Sequence, residues 1–264
     1  MARDRASGAV RRYVGDLALG IVPLGAVAAA TWRLIELPAT YLGVVATLYA
    51  GMAVLLLGGA ARGFAGTGAG NHDLAQGSAG AGMGAANRVT LLRATLALPI
   101  VALVVYSDSL VGLAAWCVIV VSTVAMVLDG VDGRVARVTG SGSPLGARFD
   151  MELDAFFLLA LSLLVWQSGR AGPWVLAIGV LRYLFVAAGW LTKRLRGDLP
   201  ESFRRKTACV VSGIALLVTL GPIIPPRLAE LAAAVGVVSL VYSFAVDAAW
   251  LLGRPANREP AEGH

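Results

Sequence analysis

The chain has 264 residues, of which 58% are hydrophobic and only 14% are charged, with a net charge of +6. Soluble domains carry about 25% charged residues, so this composition excludes a soluble enzyme, a disordered chain and an ordinary nucleic-acid-binding domain. The positive charge is therefore interpreted as a sign of membrane orientation, and nucleic acid is not an expected partner. The composition predicts an all-α, polytopic membrane helix bundle.

Eight apolar segments are long enough to cross a bilayer as helices, which takes about 20 mainly apolar residues. Continuous apolarity over such lengths favours helices, because the strands of a membrane barrel would alternate. A cleaved signal peptide is the alternative for the first segment, which follows a basic start. In chain order, the segments are 17–31, 40–60, 91–107, 109–128, 149–168, 173–191, 208–225 and 229–252.

A glycine-rich stretch interrupts these segments after the second one. Residues 58–86 contain 10 glycines among 29 positions, which is the composition of a flexible linker. The predicted organisation is an N-terminal transmembrane helix pair at 1–60, a Gly-rich linker at 61–86, a six-helix core at 87–252 and a cytoplasmic tail at 253–264.

The basic residues predict the orientation in the membrane. If the N-terminus is cytoplasmic and the chain crosses eight times, 18 of the 22 basic residues lie on the cytoplasmic side. Only Arg33, Arg170 and Arg227 then lie outside, and Arg182 falls inside a predicted helix. This bias places both termini in the cytoplasm.

Two carboxylate pairs lie at the ends of neighbouring apolar segments. Asp129 and Asp132 are three residues apart, and Asp150 and Asp154 are four apart, so each pair shares one helix face. The residues between them, 138–145, include Gly, Ser and Pro, which favour a turn. A helical hairpin would bring the four carboxylates together, and a divalent cation would relieve their repulsion. Oxygen ligands favour Mg²⁺, Mn²⁺ or Ca²⁺.

Small and basic residues interrupt this acidic cluster. Gly133 and Gly146 leave room for a ligand on the acidic faces, and Arg137 can bind a phosphate. Metal, arginine and a spare carboxylate together indicate phosphoryl-type transfer. A divalent-cation transporter, using the cluster as its ion site, is the alternative. The interleaved glycines and arginine, and a position at helix ends rather than at the membrane midplane, favour the enzyme.

The acidic segment matches the signature D-x2-D-G-x2-A-R-x8-G-x3-D-x3-D at every fixed position. These positions are Asp129, Asp132, Gly133, Ala136, Arg137, Gly146, Asp150 and Asp154. The chain therefore resembles the CDP-alcohol phosphotransferase (CDP-alcohol phosphatidyltransferase) family. The segment 87–93 also resembles the family's lead-in to its first core helix. The resemblance covers roughly residues 87–252 and implies the six-helix core of that family, so the N-terminal helix pair lies outside it.

The resemblance implies an integral-membrane transferase of phospholipid biosynthesis. It would move a phosphatidyl group from a CDP-linked donor, CDP-diacylglycerol, to a small polyol or polyol phosphate, and release CMP. Two Mg²⁺ or Mn²⁺ ions would be bound by Asp129, Asp132, Asp150 and Asp154, with Asp154 also the general base. CDP would be bound by Gly133, Ala136, Arg137 and Gly146, together with Asn87 and Thr90. Since members of this family often form homodimers, a homodimer in the cell inner membrane with a cytoplasmic active site is expected.

Further basic residues are candidates for the acceptor site, namely Arg148, Arg182, Arg204 and Arg205. Arg182 lies in the middle of an apolar helix, where an arginine is a functional candidate, but a structural pair with Asp247 or Glu152 is an alternative. For Arg204 and Arg205, at the start of a helix, simple anchoring at the membrane surface is the alternative.

Overall fold

The computed structural model describes residues 2–66, 85–109, 112–139, 144–192 and 202–253. Side chains are described over 13–58, 88–106, 112–130, 148–190 and 202–253, and at 146 and 192. Within these ranges all regular structure is helical, which confirms the predicted all-α bundle. The helices are α1 (Ala2–Ile35), α2 (Thr40–Gly66), α3 (Ala85–Ala102), α4 (Leu113–Thr139), α5 (Pro144–Gln167), α6 (Ala177–Leu191), α7 (Phe203–Leu220) and α8 (Pro226–Leu252), with short 3₁₀ helices at Leu103–Ser109 and Pro173–Leu176.

Six helices in the described part of the chain are long and apolar enough to cross a membrane, which confirms a polytopic membrane protein. The other two, α5 and α7, are of membrane-spanning length but carry charges in their N-terminal halves. In α5 these include the acids Asp150 and Asp154 of the predicted site, and in α7 they are Arg204, Arg205 and Lys206. Eight spans were predicted, and α5 and α7 depart from the apolar pattern because of these charges. The spans are Tyr13–Ile35, Thr40–Gly58, Arg88–Tyr106, Leu113–Gly130, Pro173–Trp190 and Pro226–Leu252.

Contacts between residues divide the chain into two compact units, residues 1–160 and 161–264. In the first unit, α3 is the central helix and packs against α1, α2 and α4. About two thirds of the apolar span of α3 is buried. Its small side chains Ala94 and Thr95 have no exposed surface, so neighbouring helices can approach its backbone closely.

The N-terminal helices belong to this first unit. The Tyr49 hydroxyl on α2 donates to the Leu17 carbonyl on α1 at 2.5 Å. The Tyr41 hydroxyl donates to the Pro99 carbonyl on α3 at 3.0 Å. At Gly20 a Cβ atom would lie only 2.6 Å from the Tyr49 hydroxyl, so α1 and α2 are in close contact there. Most of the predicted linker, residues 67–84, lies outside the described residues, and the domain boundaries stay a prediction.

The second unit is dominated by the packing of α7 against α8. The Ser212 hydroxyl is 2.9 Å from the Gly236 carbonyl, and the Thr219 hydroxyl is 3.0 Å from the Ala229 carbonyl. Residue numbers rise along one helix as they fall along the other, so the pair is antiparallel. Close approach at small residues and interhelical hydrogen bonds stabilise such pairs where water is absent.

Arg170 satisfies the carbonyls at the end of α7. Its Nε donates to the Thr219 carbonyl at 2.9 Å, and its Nη2 donates to the Ile224 carbonyl at 3.0 Å and to the Gly221 carbonyl. The last carbonyls of a helix have no partner within the helix. A basic side chain there supplies donors and favourable charge.

Candidate active site

Three of the four signature aspartates converge where α4 and α5 face each other. Asp129 lies in the second half of α4, while Asp150 and Asp154 occupy successive turns of α5. One carboxylate oxygen of each lies within 4.8 Å of those of the other two. The three side chains are each about one third exposed, so a small ion can reach them. The predicted hairpin thus brings both acidic faces together.

The rest of the signature falls largely outside the described side chains. The backbone of α4 stays helical to Thr139, so it includes the other signature positions of that helix. Their side chains lie outside the described residues, and their roles stay predictions. They are Asp132, Gly133, Ala136 and Arg137.

Arg93 on α3 contacts all three carboxylates. Its Nη1 is 2.9 Å from Asp129 Oδ1 and also pairs with Asp150, and its Nη2 pairs with Asp154. Its Nε donates to the Ala125 carbonyl on α4 at 3.2 Å. The guanidinium therefore joins three helices while its side chain is only 6% exposed.

Sequence reasoning did not place Arg93 in the acidic cluster. The available signal was its position at the end of segment 87–93, which resembles the family's lead-in to its first core helix. A separation of 36 residues from Asp129 gives no pairing information without the packing of α3 on α4.

The charge of this site is unbalanced. Three carboxylates and one guanidinium leave a formal charge of −2, which a divalent cation neutralises. The donors are carboxylate oxygens only, a set that hard ions such as Mg²⁺ and Mn²⁺ prefer over thiophilic metals. The described residues therefore fit a divalent metal ion by donor chemistry, spacing and access.

A family model for CDP-alcohol phosphatidyltransferase matches residues 83–245. The chain belongs to this family. Membership confirms the predicted family and its class of enzyme, the CDP-alcohol phosphotransferases. The match contains α3 and the whole acidic cluster, whereas α1 and α2 lie before it.

One curated relative is the mouse (Mus musculus) protein ethanolaminephosphotransferase 1. It is 37% identical to this chain over 70 residues. The matched stretch is 26% of this chain and 18% of the mouse protein, so the similarity spans less than a fifth of the relative. No solved structure matches the chain significantly.

Three other residues predicted at the site of this phosphotransferase have described side chains in the first unit. Thr90 lies one turn before Arg93 on α3, on the same face, and is buried. Gly146 is buried in the first turn of α5, and Arg148 is exposed two residues later. The side chain of Asn87, at the start of α3, lies outside the described residues.

The remaining predicted acceptor residues lie in the second unit. The Arg204 Nη2 donates to Asp247 Oδ1 at 2.6 Å, and its Nη1 donates to the Ser243 hydroxyl at 3.0 Å. Arg205 lies 3.9 Å from the other Asp247 oxygen. Arg182 is partly buried on α6. Asp247, considered at first as a partner for Arg182, thus pairs with Arg204, and this ion pair joins α7 to α8.

Proposed function

We propose that this protein transfers a phosphatidyl group from a CDP-linked lipid donor, CDP-diacylglycerol, to a small alcohol, with release of CMP. The acceptor would be a polyol or polyol phosphate. The convergence of Asp129, Asp150 and Asp154 within 4.8 Å is the observation that carries this proposal. The family match over residues 83–245 supports the reaction class.

In this proposal the carboxylates hold the metal and one of them moves a proton. Asp129, Asp150 and Asp154 would bind Mg²⁺ or Mn²⁺, and Asp132 would complete a site for two ions. Metal held there would offset the negative charge of the donor diphosphate. Asp154 accepts the proton of the acceptor hydroxyl. The acceptor oxygen then forms a bond to the β-phosphorus, the bond from that phosphorus to the bridging oxygen breaks, and CMP leaves with the electron pair.

The same proposal assigns the substrates to the remaining predicted residues. Those assigned to CDP are Gly133, Ala136, Arg137, Gly146, Asn87 and Thr90. Those assigned to an anionic acceptor are Arg148, Arg182, Arg204 and Arg205. We further propose a homodimer in the cell inner membrane, with both termini and the active site in the cytoplasm, since this orientation gives the reaction access to cytoplasmic CDP-activated substrates.

The test is a transfer assay on the purified protein with a matched pair of variants. Wild type is incubated with CDP-diacylglycerol, Mg²⁺ or Mn²⁺, and glycerol 3-phosphate or inositol phosphate, and CMP release and the lipid product are measured. Asp154→Asn removes the proposed base and is expected to lower kcat by about 10²- to 10⁴-fold. Glu152→Gln removes an exposed acid two residues away on the same helix and is expected to keep near-wild-type activity.

Two results would contradict the proposal. One is no turnover of CDP-diacylglycerol with any of these acceptors and metals. The other is equal activity of Asp154→Asn and Glu152→Gln, which would remove Asp154 as the base.

A second candidate is phosphoethanolamine transfer from CDP-ethanolamine to a lipid alcohol. The similarity to mouse ethanolaminephosphotransferase 1 over 70 residues favours it. Adding CDP-ethanolamine and diacylglycerol to the same assay separates the two donors. The transporter alternative predicts instead a flux of Mn²⁺ into proteoliposomes without CMP release.

A further inference from the structure

The Arg93 guanidinium lies among the carboxylates that the proposed function assigns to a metal ion. It pairs with Oδ1 of Asp129, Asp150 and Asp154. Its Nε donates to the Ala125 carbonyl. These contacts with two neighbouring helices fix its orientation, and the side chain is only 6% exposed.

A guanidinium and a divalent ion that share these oxygens repel each other, because both are cations. Mg²⁺ binds carboxylate oxygens at about 2.0–2.1 Å, so an ion among the three carboxylates would lie within a few ångströms of the Arg93 charge. A divalent cation and a guanidinium cation at such a separation repel each other, and partial burial strengthens this repulsion.

We propose that Arg93 is the counter-cation of this acidic cluster in the metal-free protein and that divalent metal displaces its guanidinium from the carboxylates. Arg93 then has two opposite effects. It holds Asp129, Asp150 and Asp154 together before metal binds, and it weakens metal binding by competing for the same oxygens. This inference rests on the proposed function, since it takes the cluster to be the metal site.

The experiment measures Mn²⁺ binding and thermal unfolding in detergent for wild type, Arg93→Gln and Arg93→Lys. Arg88→Gln is the matched control, since Arg88 lies on the same helix and pairs with a different acid, Asp16, at 3.0 Å. Free Mn²⁺ is followed by electron paramagnetic resonance during titration. Unfolding is recorded in EDTA and in saturating Mn²⁺.

Arg93→Gln is expected to bind Mn²⁺ about tenfold more tightly than wild type or better, which is about 1.4 kcal/mol. In EDTA it should unfold at a lower temperature than wild type, because the three carboxylates then repel one another without a counter-charge. Saturating Mn²⁺ should raise its unfolding temperature by more than it raises that of wild type. Arg93→Lys keeps the charge but loses the fork of donors, so its Mn²⁺ affinity should lie between those of wild type and Arg93→Gln. Arg88→Gln should bind Mn²⁺ as wild type does.

The inference is overturned if Arg93→Gln binds Mn²⁺ no more tightly than wild type. Recovery of folded Arg93→Gln only when Mn²⁺ is present would support it. If that variant does not fold under either condition, Arg93→Lys decides, and an affinity equal to or below that of wild type overturns the inference. If wild type and all variants fail to bind Mn²⁺, both this inference and the proposed metal centre are refuted. Competition at the cluster without any transfer activity refutes only the proposed function.

Discussion

Gly236 on α8 lies at the closest approach of α7 and α8. A Cβ atom at this position would lie 2.9 Å from the Ala215 Cβ, 3.2 Å from the Ile178 Cδ1 and 3.4 Å from the Ser212 Cα. Carbon atoms pack best at about 3.5–4.0 Å. Gly236→Ala therefore requires the two helices to separate by roughly 0.6 Å or more.

This separation has three energetic consequences. Overpacking of a tight interface costs about 1–3 kcal/mol. The hydrogen bond from Ser212 to the Gly236 carbonyl, now 2.9 Å, would lengthen toward its limit, and such bonds between membrane helices are worth about 0.6 kcal/mol on average. Alanine gains about 1 kcal/mol over glycine in helix propensity. The net loss expected for Gly236→Ala is about 0.6–2.6 kcal/mol.

The assay is thermal unfolding of the purified protein in detergent, followed by loss of the monodisperse species. For a chain of this size each kcal/mol corresponds to about 2–4 °C, so Gly236→Ala should lower Tm by several degrees. Gly43→Ala on α2 is the control, since a Cβ there meets nothing within 4 Å, and its Tm should stay equal or rise. A Gly236→Ala protein as stable as the Gly43→Ala protein would refute the close packing of α7 on α8.

Three further predictions concern single contacts. Arg170→Ala should lower the free energy of unfolding by about 1–3 kcal/mol, because it leaves carbonyls at the end of α7 without donors; an unchanged Tm would contradict that capping role. Asp247→Asn should lower the free energy of unfolding by about 1–3 kcal/mol, since it removes the buried partner of Arg204. Glu230→Gln, at an exposed acid on the same helix, is the control, and Asp247→Asn should lower Tm by more than this control does. Tyr49→Phe should lose about 1 kcal/mol with the bond to the Leu17 carbonyl; Tyr242→Phe, at an exposed tyrosine, is its control.

The acidic cluster could be predicted from the sequence because it depends on short spacings between residues of the same helix. Spacings of three and four residues place Asp129 with Asp132, and Asp150 with Asp154, on single helix faces, whatever else the chain does. A short turn between two helices then leaves few ways to arrange them. The convergence of Asp129 with the second pair follows from that connection, and the structure confirms it.

The contacts of individual arginines could not be predicted in this way. Arg204 was predicted for the acceptor site, and Arg93 was noted as the last residue of segment 87–93. The partners of Arg93 lie 32 to 61 residues away in the sequence, and those of Arg204 lie 39 to 43 residues away. Such pairs are decided by which helices pack together and at what register, and apolar membrane helices have little sequence pattern that specifies their neighbours.

Composition and local spacing thus determined that the chain is a helical membrane protein with a cluster of acids whose oxygens suit a divalent metal ion. They did so because hydrophobic length and helical periodicity are properties of single segments. Only the tertiary structure decided that α1 and α2 pack with α3 in one unit, that Asp247 binds Arg204, and that a guanidinium from α3 lies among the acids. Each of these depends on which helices are neighbours, and the packing of small residues such as Gly20 and Gly236 sets how closely those neighbours approach.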